Sequence, residues 1–278
     1  MNKLELKKMA NEVRKGAIIA VHSAKAGHPG GSLSAADIYT YLFFNEMNID
    51  PKDPKKADRD RFVLSKGHTS PGYYATLANR GFFPVEDLPT FRHLGSYLQG
   101  HPDMKHIPGV DMSSGSLGQG ISAAVGMAIS AKLTNDSYRV YTLVGDGELQ
   151  EGQVWEASML AGFRKLDNLT VIVDNNNLQI DGAIDDVNSP YPIDKKFEAF
   201  NFHVINIDGH DFDQIEAALN EAKATKGKPT AIIAKTTKGK GVSFMENKAE
   251  WHGTAPNDEQ FEVAMKDLEK VGEELCQK

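Results

Sequence analysis

The chain has 278 residues, of which 40% are hydrophobic and 25% charged, an ordinary composition for a globular protein. Its formal net charge of −7 argues against a general nucleic-acid-binding role. The start MNKLELKKMANEVRK lacks the apolar core of a signal peptide, no run approaches the roughly 18 apolar residues of a membrane span, and the single cysteine, Cys276, excludes an intramolecular disulfide; together these point to the cytoplasm.

Leu6, Met9, Val13, Ala17 and Val21 recur at helical spacing, so Leu4 to about Ala24 reads as an amphipathic helix. Gly27-His28-Pro29-Gly30-Gly31 breaks it into a loop. Ser32 or Ser34 is expected to cap a helix running to about Asn45, and Asn48 to Asp60 is a charged connection. Arg61 to Leu64 is a short strand followed by Lys66-Gly67-His68. Ser70-Pro71 then opens a helix that stops near Gly81. Phe82 to Pro108 is a long irregular stretch carrying Gly100-His101-Pro102; loops of this length are functional or mobile. Ser113 to Asn135 begins GSLGQG and continues as a Gly/Ala-rich helix, suited to close packing or to bringing its N-terminus against phosphate.

Val140 to Val144 is an apolar strand that breaks at Gly145-Asp146-Gly147. A polar, amphipathic crossover leads to a second strand, Leu169 to Val173, which ends in Asp174-Asn175-Asn176-Asn177. Two strands joined by a helical crossover are the unit of a parallel sheet, and ligand sites lie at the C-terminal ends of such strands. A strand near His203 to Ile207, a helix near Asp213 to Thr225, a strand near Thr230 to Lys235, a Lys/Gly loop from Thr236 to Gly241 and a helix from about Asp258 to Glu274 complete the chain. The alternation gives an α/β fold: a doubly wound, mostly parallel sheet with helices on both faces, in one unit over residues 1–278. Neither GxGxxG nor GxxxxGK[ST] occurs, which lowers the case for a dinucleotide or P-loop protein.

Asp146 and Asn176 each fall just past a strand end and can converge on one point. A carboxylate, an amide oxygen and a backbone carbonyl are hard donors that suit Mg²⁺ or Ca²⁺ and suit zinc poorly. Gly145 and Gly147, lacking Cβ, let backbone approach a bulky anion. Two readings stand at this level: a glycine turn and an asparagine turn with no ligand, or a metal-diphosphate site. His28, His68, His101 and His252 all sit in glycine- or proline-flanked loops, where a lone histidine is most often a solvated surface residue. Their scatter does not give the ligand spacing of a zinc enzyme.

GDG followed by a helical crossover and NN resembles the thiamine diphosphate-binding motif, and GDGELQEGQVWEAS with DNNNLQIDG resembles its transketolase form. KAGHPGG, RFVLSKGH, GHPD, SSGSLGQGISAAVGMA, KTTKGKGVSFMEN and WHGTAP match in the family's order from near residue 25 to residue 256. The resemblance implies that Asp146, Asn176 and the main-chain oxygen of Leu178 hold Mg²⁺, for which Ca²⁺ or Mn²⁺ can substitute. It implies that Gly115, Ser116, Leu117, Gly147, Glu148, Asn176 and Ile180 touch thiamine diphosphate, with His68 and His252 on the diphosphate side. Ser116 replaces a proline common in relatives, and Ile180 is expected beside the thiazolium ring. His28, His101 and His252 are expected to line the sugar channel. Glu151 and Glu156 read either as a solvated helix face or, by the resemblance, as a carboxylate network joining two active sites across a dimer interface. The loop with Lys238 and Lys240 either binds anion or is a mobile basic loop, which the resemblance places at the site's rim, where gating is plausible.

In transketolases the glutamate that activates the aminopyrimidine comes from a second domain. The 278 residues match only the first. The resemblance therefore implies the N-terminal subunit of a split transketolase of the non-oxidative pentose phosphate pathway. The pyrimidine-binding and C-terminal domains are expected on a separate chain. The two would form an α2β2 heterotetramer acting on sugar phosphates such as xylulose 5-phosphate. Two other readings are a two-chain thiamine diphosphate enzyme of the 2-oxoacid dehydrogenase or synthase type, and a non-catalytic regulatory module.

Overall fold

The computed structural model describes residues 1–277 of the chain. Helix α1 (Lys3–Ala24) starts at a capping box, in which Asn2 accepts from the Glu5 N–H and Glu5 accepts from the Asn2 N–H. It ends on Lys25 in the left-handed conformation. Helices α2 (Pro29–Ser34) and α3 (Ala36–Tyr41) follow, and α3 continues into a wider turn over Leu42–Glu46. Strand β1 (Arg61–Leu64), helix α4 (Ser70–Arg80), helix α5 (Gln119–Thr134) and strand β2 (Val140–Gly145) come next. Helix α6 (Gly152–Phe163) crosses to β3 (Leu169–Asn175). A small antiparallel ribbon, β4 (Leu178–Gln179) with β5 (Gly182–Ala183), precedes α7 (Ile184–Val187) and α8 (Ile193–Ala199). Then come β6 (His203–Asp208), α9 (Phe212–Ala224), β7 (Thr230–Lys235) and α10 (Asp258–Cys276).

The main sheet has the order β1-β2-β3-β7-β6, and every neighbouring pair is parallel. The runs VYTLV, LTVIV and TAIIA form its centre because both faces are covered, so continuous apolar, β-branched sequence is favoured over alternation. Parity sorts the side chains. Leu143, Ile172 and Ile232 pack on one face with Leu6, Tyr39, Tyr73 and Phe212 of α1, α3, α4 and α9. Val144, Val171, Val173 and Ile233 pack on the other with Ile121, Val154 and Phe197 of α5, α6 and α8. A smaller cluster of Leu33, Val242, Met245, Trp251 and Leu268 holds the C-terminal segment over α2. Register aligns Gly145 with Asp174 and Asn175 with Lys235, so the residues after β2, β3 and β7 form one row along the sheet's C-terminal edge. The crossover α6 runs over one face and α9 over the other, which opens a crevice beyond that edge.

The fold matches the doubly wound α/β expectation and differs locally. Ser32 and Ser34 do not cap a helix. Pro29, whose fixed φ is preorganised for a first turn, opens α2 after His28, and both serines lie inside it. Ser34 instead donates to the buried Asp174 at 2.6 Å, a tertiary partner that local sequence does not reveal. Strand β3 runs two residues past Val173, and the ribbon and α8 were not anticipated. The stretch after Gly81 is irregular but pinned: Phe91 and Leu98 are buried, the Tyr74 hydroxyl donates to the Gln99 carbonyl at 2.9 Å, and Ser70 donates to the Gly100 carbonyl at 2.8 Å. Among the described residues no helix is long and apolar enough to cross a membrane.

Candidate active site

Four loops leave the C-terminal edge of the sheet and enclose a cavity of about 410 Å³. After β1 comes Lys66, after β2 Asp146, after β3 Asn176, and after β7 Lys238. The β4–β5 ribbon, α2 and the loop through His101 close the sides.

At the floor lies a buried cluster of charges. Asp174 is fully buried and accepts from Ser34, Thr236, Lys66 and, at 3.3 Å, the Asn176 amide. Burial alone would raise its pKa, but the Lys66 ammonium and these donors overcome it and hold the carboxyl below its usual range. Lys66 is equally buried and also donates to the Gly31 carbonyl at 3.2 Å. Asp146 sits beside them. It accepts from the Gly147 N–H at 2.9 Å and the Asn177 N–H at 2.5 Å. Burial first, and the negative charge of Asp174 second, push its pKa up. The nearby Lys238 charge opposes this shift without overcoming it. Lys238, also buried, has its pKa pushed down by burial, and its ammonium lies 3.1 Å from the Leu178 carbonyl.

Asp146, Asn176 and Leu178 thus bring a carboxylate, an amide oxygen and a carbonyl to one cavity. The Asn176 amide oxygen is tied only to the Leu178 N–H at 3.2 Å, which leaves it a free lone pair. The donor set suits a hard divalent cation, and the only partly compensated Asp146 would be stabilised by one. Among the described residues no group of three His, Cys, Asp or Glu side chains is arranged to hold a metal, so zinc-type ligation has no scaffold there.

Three imidazoles form a triangle above this floor. The ring centroids of His28, His68 and His252 are 5.0, 5.1 and 5.4 Å apart. Burial, then neighbouring positive charge, lowers all three: His28 to about 4, His252 to about 3 and His68 well below its ordinary value. Each is a neutral ring at pH 7, with one N–H and one lone pair to offer. The Nδ1 of His28 is buried without a hydrogen-bond partner, while the residue itself borders the cavity. His101 stands at the mouth, its pKa lowered by burial and then by Arg92. Gly115, at φ +152, lies against it: a Cβ there would come 3.1 Å from the His101 ring. Only glycine fits both that backbone and that contact.

The lining includes Leu117, Gly147, Glu148, Glu151 and Ile180, all expected from sequence. Two of the expected cofactor contacts, Ser116 and Glu148, are placed differently from the rest. Ser116 is exposed and does not line the cavity; it lies on the outer side of a turn whose carbonyl accepts from the Gln119 N–H at 3.3 Å. Glu148 borders the cavity, but both its oxygens are taken by protein donors: Ser65 at 2.5 Å, the Gly118 N–H at 2.9 Å and the Gly145 N–H at 3.0 Å. It ties three site loops together and has little left for a ligand. Glu151 stands at the rim, with its side chain exposed. Glu156 lies outside the cavity, on the outer face of α6. Ile180 is 64% exposed at the ribbon's tip. Lys66 and Asp174 were missed. A lysine directly after a strand and an aspartate opening DNNN were the available signals, but their pairing spans 108 positions.

The family described as transketolase, thiamine diphosphate binding domain, matches residues 5–272. The chain is 45% identical over 269 residues to a 6-deoxy-6-sulfo-D-fructose transketolase subunit of a Clostridium species, covering 97% of this chain and 98% of that one. It is 43% identical over 265 residues to an apulose-4-phosphate transketolase subunit of Actinobacillus succinogenes, covering 95% and 96%. It is 46% identical over 252 residues to mouse transketolase, covering 89% of this chain and 39% of that longer one. Among solved structures, transketolase from Campylobacter jejuni superposes with a TM-score of 0.91 at 36% identity, over 99% of this chain and 46% of that chain. The chain therefore belongs to the transketolase family of enzymes, as a thiamine diphosphate-binding domain.

Proposed function

We propose that this chain is the diphosphate-binding subunit of a two-chain transketolase. It would move a two-carbon ketol unit from a ketose phosphate, such as xylulose 5-phosphate, to an aldose. The observation that carries the proposal is the meeting, in one cavity, of the Asp146–Asn176–Leu178 donor set with the neutral triangle of His28, His68 and His252.

Bound thiamine diphosphate supplies a carbon nucleophile and an electron sink, which make a carbon–carbon bond next to a carbonyl breakable. Asp146, Asn176 and the Leu178 carbonyl would hold Mg²⁺, with Ca²⁺ or Mn²⁺ as substitutes, and so supply positive charge for a diphosphate. His68, His252, Lys238 and the backbone around Gly115, Leu117 and Gly147 surround that anion. His28, His101 and His252 face the sugar. Being neutral, they can donate an N–H to a developing alkoxide or accept a hydroxyl proton without first losing one. Ile180, on the ribbon at the cavity's edge, would offer an apolar side chain to the cofactor's ring system.

The partner is a separate chain carrying the pyrimidine-binding half. Support comes from relatives of nearly this length that are named as subunits. Self-association through this chain would make the assembly α2β2. Support here is the outer face of α6, where Glu156, Met159, Leu160 and Phe163 follow at helical spacing; the three apolar residues are 58%, 41% and 76% exposed. A second copy would bury that stripe and bring Glu156, with Glu151 behind it, towards its symmetry mate.

The test is reconstitution with the partner chain. Ketol transfer is expected only from the pair, with thiamine diphosphate and Mg²⁺. Donors should include xylulose 5-phosphate, 6-deoxy-6-sulfofructose and an apulose phosphate, with pyruvate as the contrast. Turnover of pyruvate but of no ketose would replace this reading with a 2-oxoacid enzyme, and cofactor binding without turnover would replace it with a regulatory module. Asp146→Ala should weaken thiamine diphosphate binding in Mg²⁺ by more than tenfold by calorimetry, since the anion would face an incomplete cation site. Unchanged affinity would refute the metal assignment.

A further inference from the structure

A buried relay runs from α1 to the loop after β7. Arg14 donates to Asp37 of α3 at 2.5 and 3.4 Å and to the Leu33 carbonyl at 3.3 Å. His210, in the turn between β6 and α9, meets the same carboxylate through Nδ1 at 2.7 Å. Its other nitrogen, Nε2, is 2.9 Å from the backbone nitrogen of Thr237. Thr237 has only an N–H to offer there, so Nε2 is the acceptor and Nδ1 carries the proton given to Asp37. The Arg14, Asp37 and His210 side chains are 9%, 8% and 16% exposed, so solvent does not compete strongly for these bonds.

The residue after Thr237 is Lys238. Its ammonium enters the cavity, 3.1 Å from the Leu178 carbonyl and 3.0 Å from His252 Nδ1. The loop has other ties: Thr236 to Asp174, the Gly239 N–H to the Gly30 carbonyl at 3.0 Å, and the Asn247 N–H to the Lys238 carbonyl at 2.9 Å. Thr236 and Gly239 fix the loop to the cavity's own walls. Among the described residues the His210 bond is the hydrogen bond that joins it to the buried Arg14–Asp37 pair, and Gly241 packs beside the Arg14 side chain.

We propose that His210 is a positioning residue: its Nε2, kept as an acceptor by the Nδ1 bond to Asp37, holds the Thr237 N–H and so sets where Lys238 points. It does not reach the cavity itself. Two substitutions separate this role from mere filling. In His210→Gln the side-chain amide reaches about where Nε2 lies and can still accept from Thr237. In His210→Asn it reaches only as far as Nδ1. The functional consequence rests on the cofactor reading above; the anchoring does not.

The experiment has two arms. Hydrogen–deuterium exchange on the purified chain, read by mass spectrometry, follows the peptide covering residues 236–241. Exchange there should be about tenfold faster in His210→Ala and His210→Asn and near wild type in His210→Gln, with peptides from β2 and β3 unchanged. In the reconstituted complex, thiamine diphosphate affinity in Mg²⁺ should fall about tenfold in the Ala and Asn variants and recover in Gln. Unchanged exchange in His210→Ala overturns the proposal. So do equal behaviour of Asn and Gln, and faster exchange throughout the chain. If wild type shows the exchange pattern but binds no thiamine diphosphate, the anchor stands and the proposed function falls.

Discussion

At the residue scale, the site depends on side chains whose ionisation is set by burial. His68 shows the consequence most directly. Its folded pKa lies well below that of the unfolded chain, so below about pH 6.5 the unfolded state binds a proton that the native state refuses. Stability from this group is complete above pH 6.5 and declines as pH falls below it. His28 and His252 add the same sign, down to about 4 and 3. Replacing His68 with Asn should flatten the dependence of unfolding free energy on pH between about 5 and 6.5, by up to about 1.4 kcal/mol per pH unit. Denaturant melts of both proteins across that range check it, and parallel curves would contradict the shift. His101 is a different case. It stands at the mouth rather than on the floor, so His101→Ala should lower kcat more than it weakens cofactor binding; equal losses in both would place it wrongly.

At the element scale, close contacts between backbones fix how the crossover helices lie. Gly162, near the end of α6, faces the Phe200 carbonyl: a Cβ there would lie 1.8 Å from that oxygen. Neither partner is the far end of a flexible side chain, so Gly162→Ala must push α6 off the segment after α8. The cost should be about 1–3 kcal/mol, read as a drop in the denaturation midpoint. Elements of this kind were the legible part of the sequence. Val140 to Val144 and Leu169 to Val173 announce buried strands, because the chemistry that makes them strands is contiguous. The ribbon at Leu178 to Ala183 has two residues per strand, too few for periodicity to register. Asp146, Asn176 and the loop histidines were legible because each sits at a break in the pattern. Lys66, Asp174 and His210 were not, because their meaning lies in partners 108, 140 or 173 positions away. Ser116 shows the opposite failure. Its neighbours Gly115 and Leu117 line the cavity, and a turn swings it outward.

At the scale of the whole molecule, one side of the fold carries exposed apolar side chains. Met159, Leu160 and Phe163 on α6 and Leu133 at the end of α5 are exposed on helices that pack against each other. Burying a phenylalanine and two neighbours of this size against a second copy would contribute several kcal/mol, at about 25 cal/mol per Å². Phe163→Glu should therefore shift the chain towards monomers in sedimentation velocity while its thermal unfolding stays within a few degrees of wild type. An unchanged sedimentation coefficient would assign the stripe to something other than self-association.

Because all five strands of the main sheet point the same way, the loops that make the cavity leave from one rim, and the opposite rim holds only the returns into each strand. The returns into β2, β3 and β7, at residues 135–139, 164–168 and 225–229, lie a full strand length from the cavity floor. Gly227 has open space around it but, at φ +72, a backbone that favours glycine, so the exposed Lys226 and Lys228 beside it are the better anchors. That back rim is the natural attachment point for a fluorophore, a surface tether or a short inserted tag. Of the three, the return at residues 225–229 also follows neither α5 nor α6, so a reporter there avoids both the cavity and the apolar stripe.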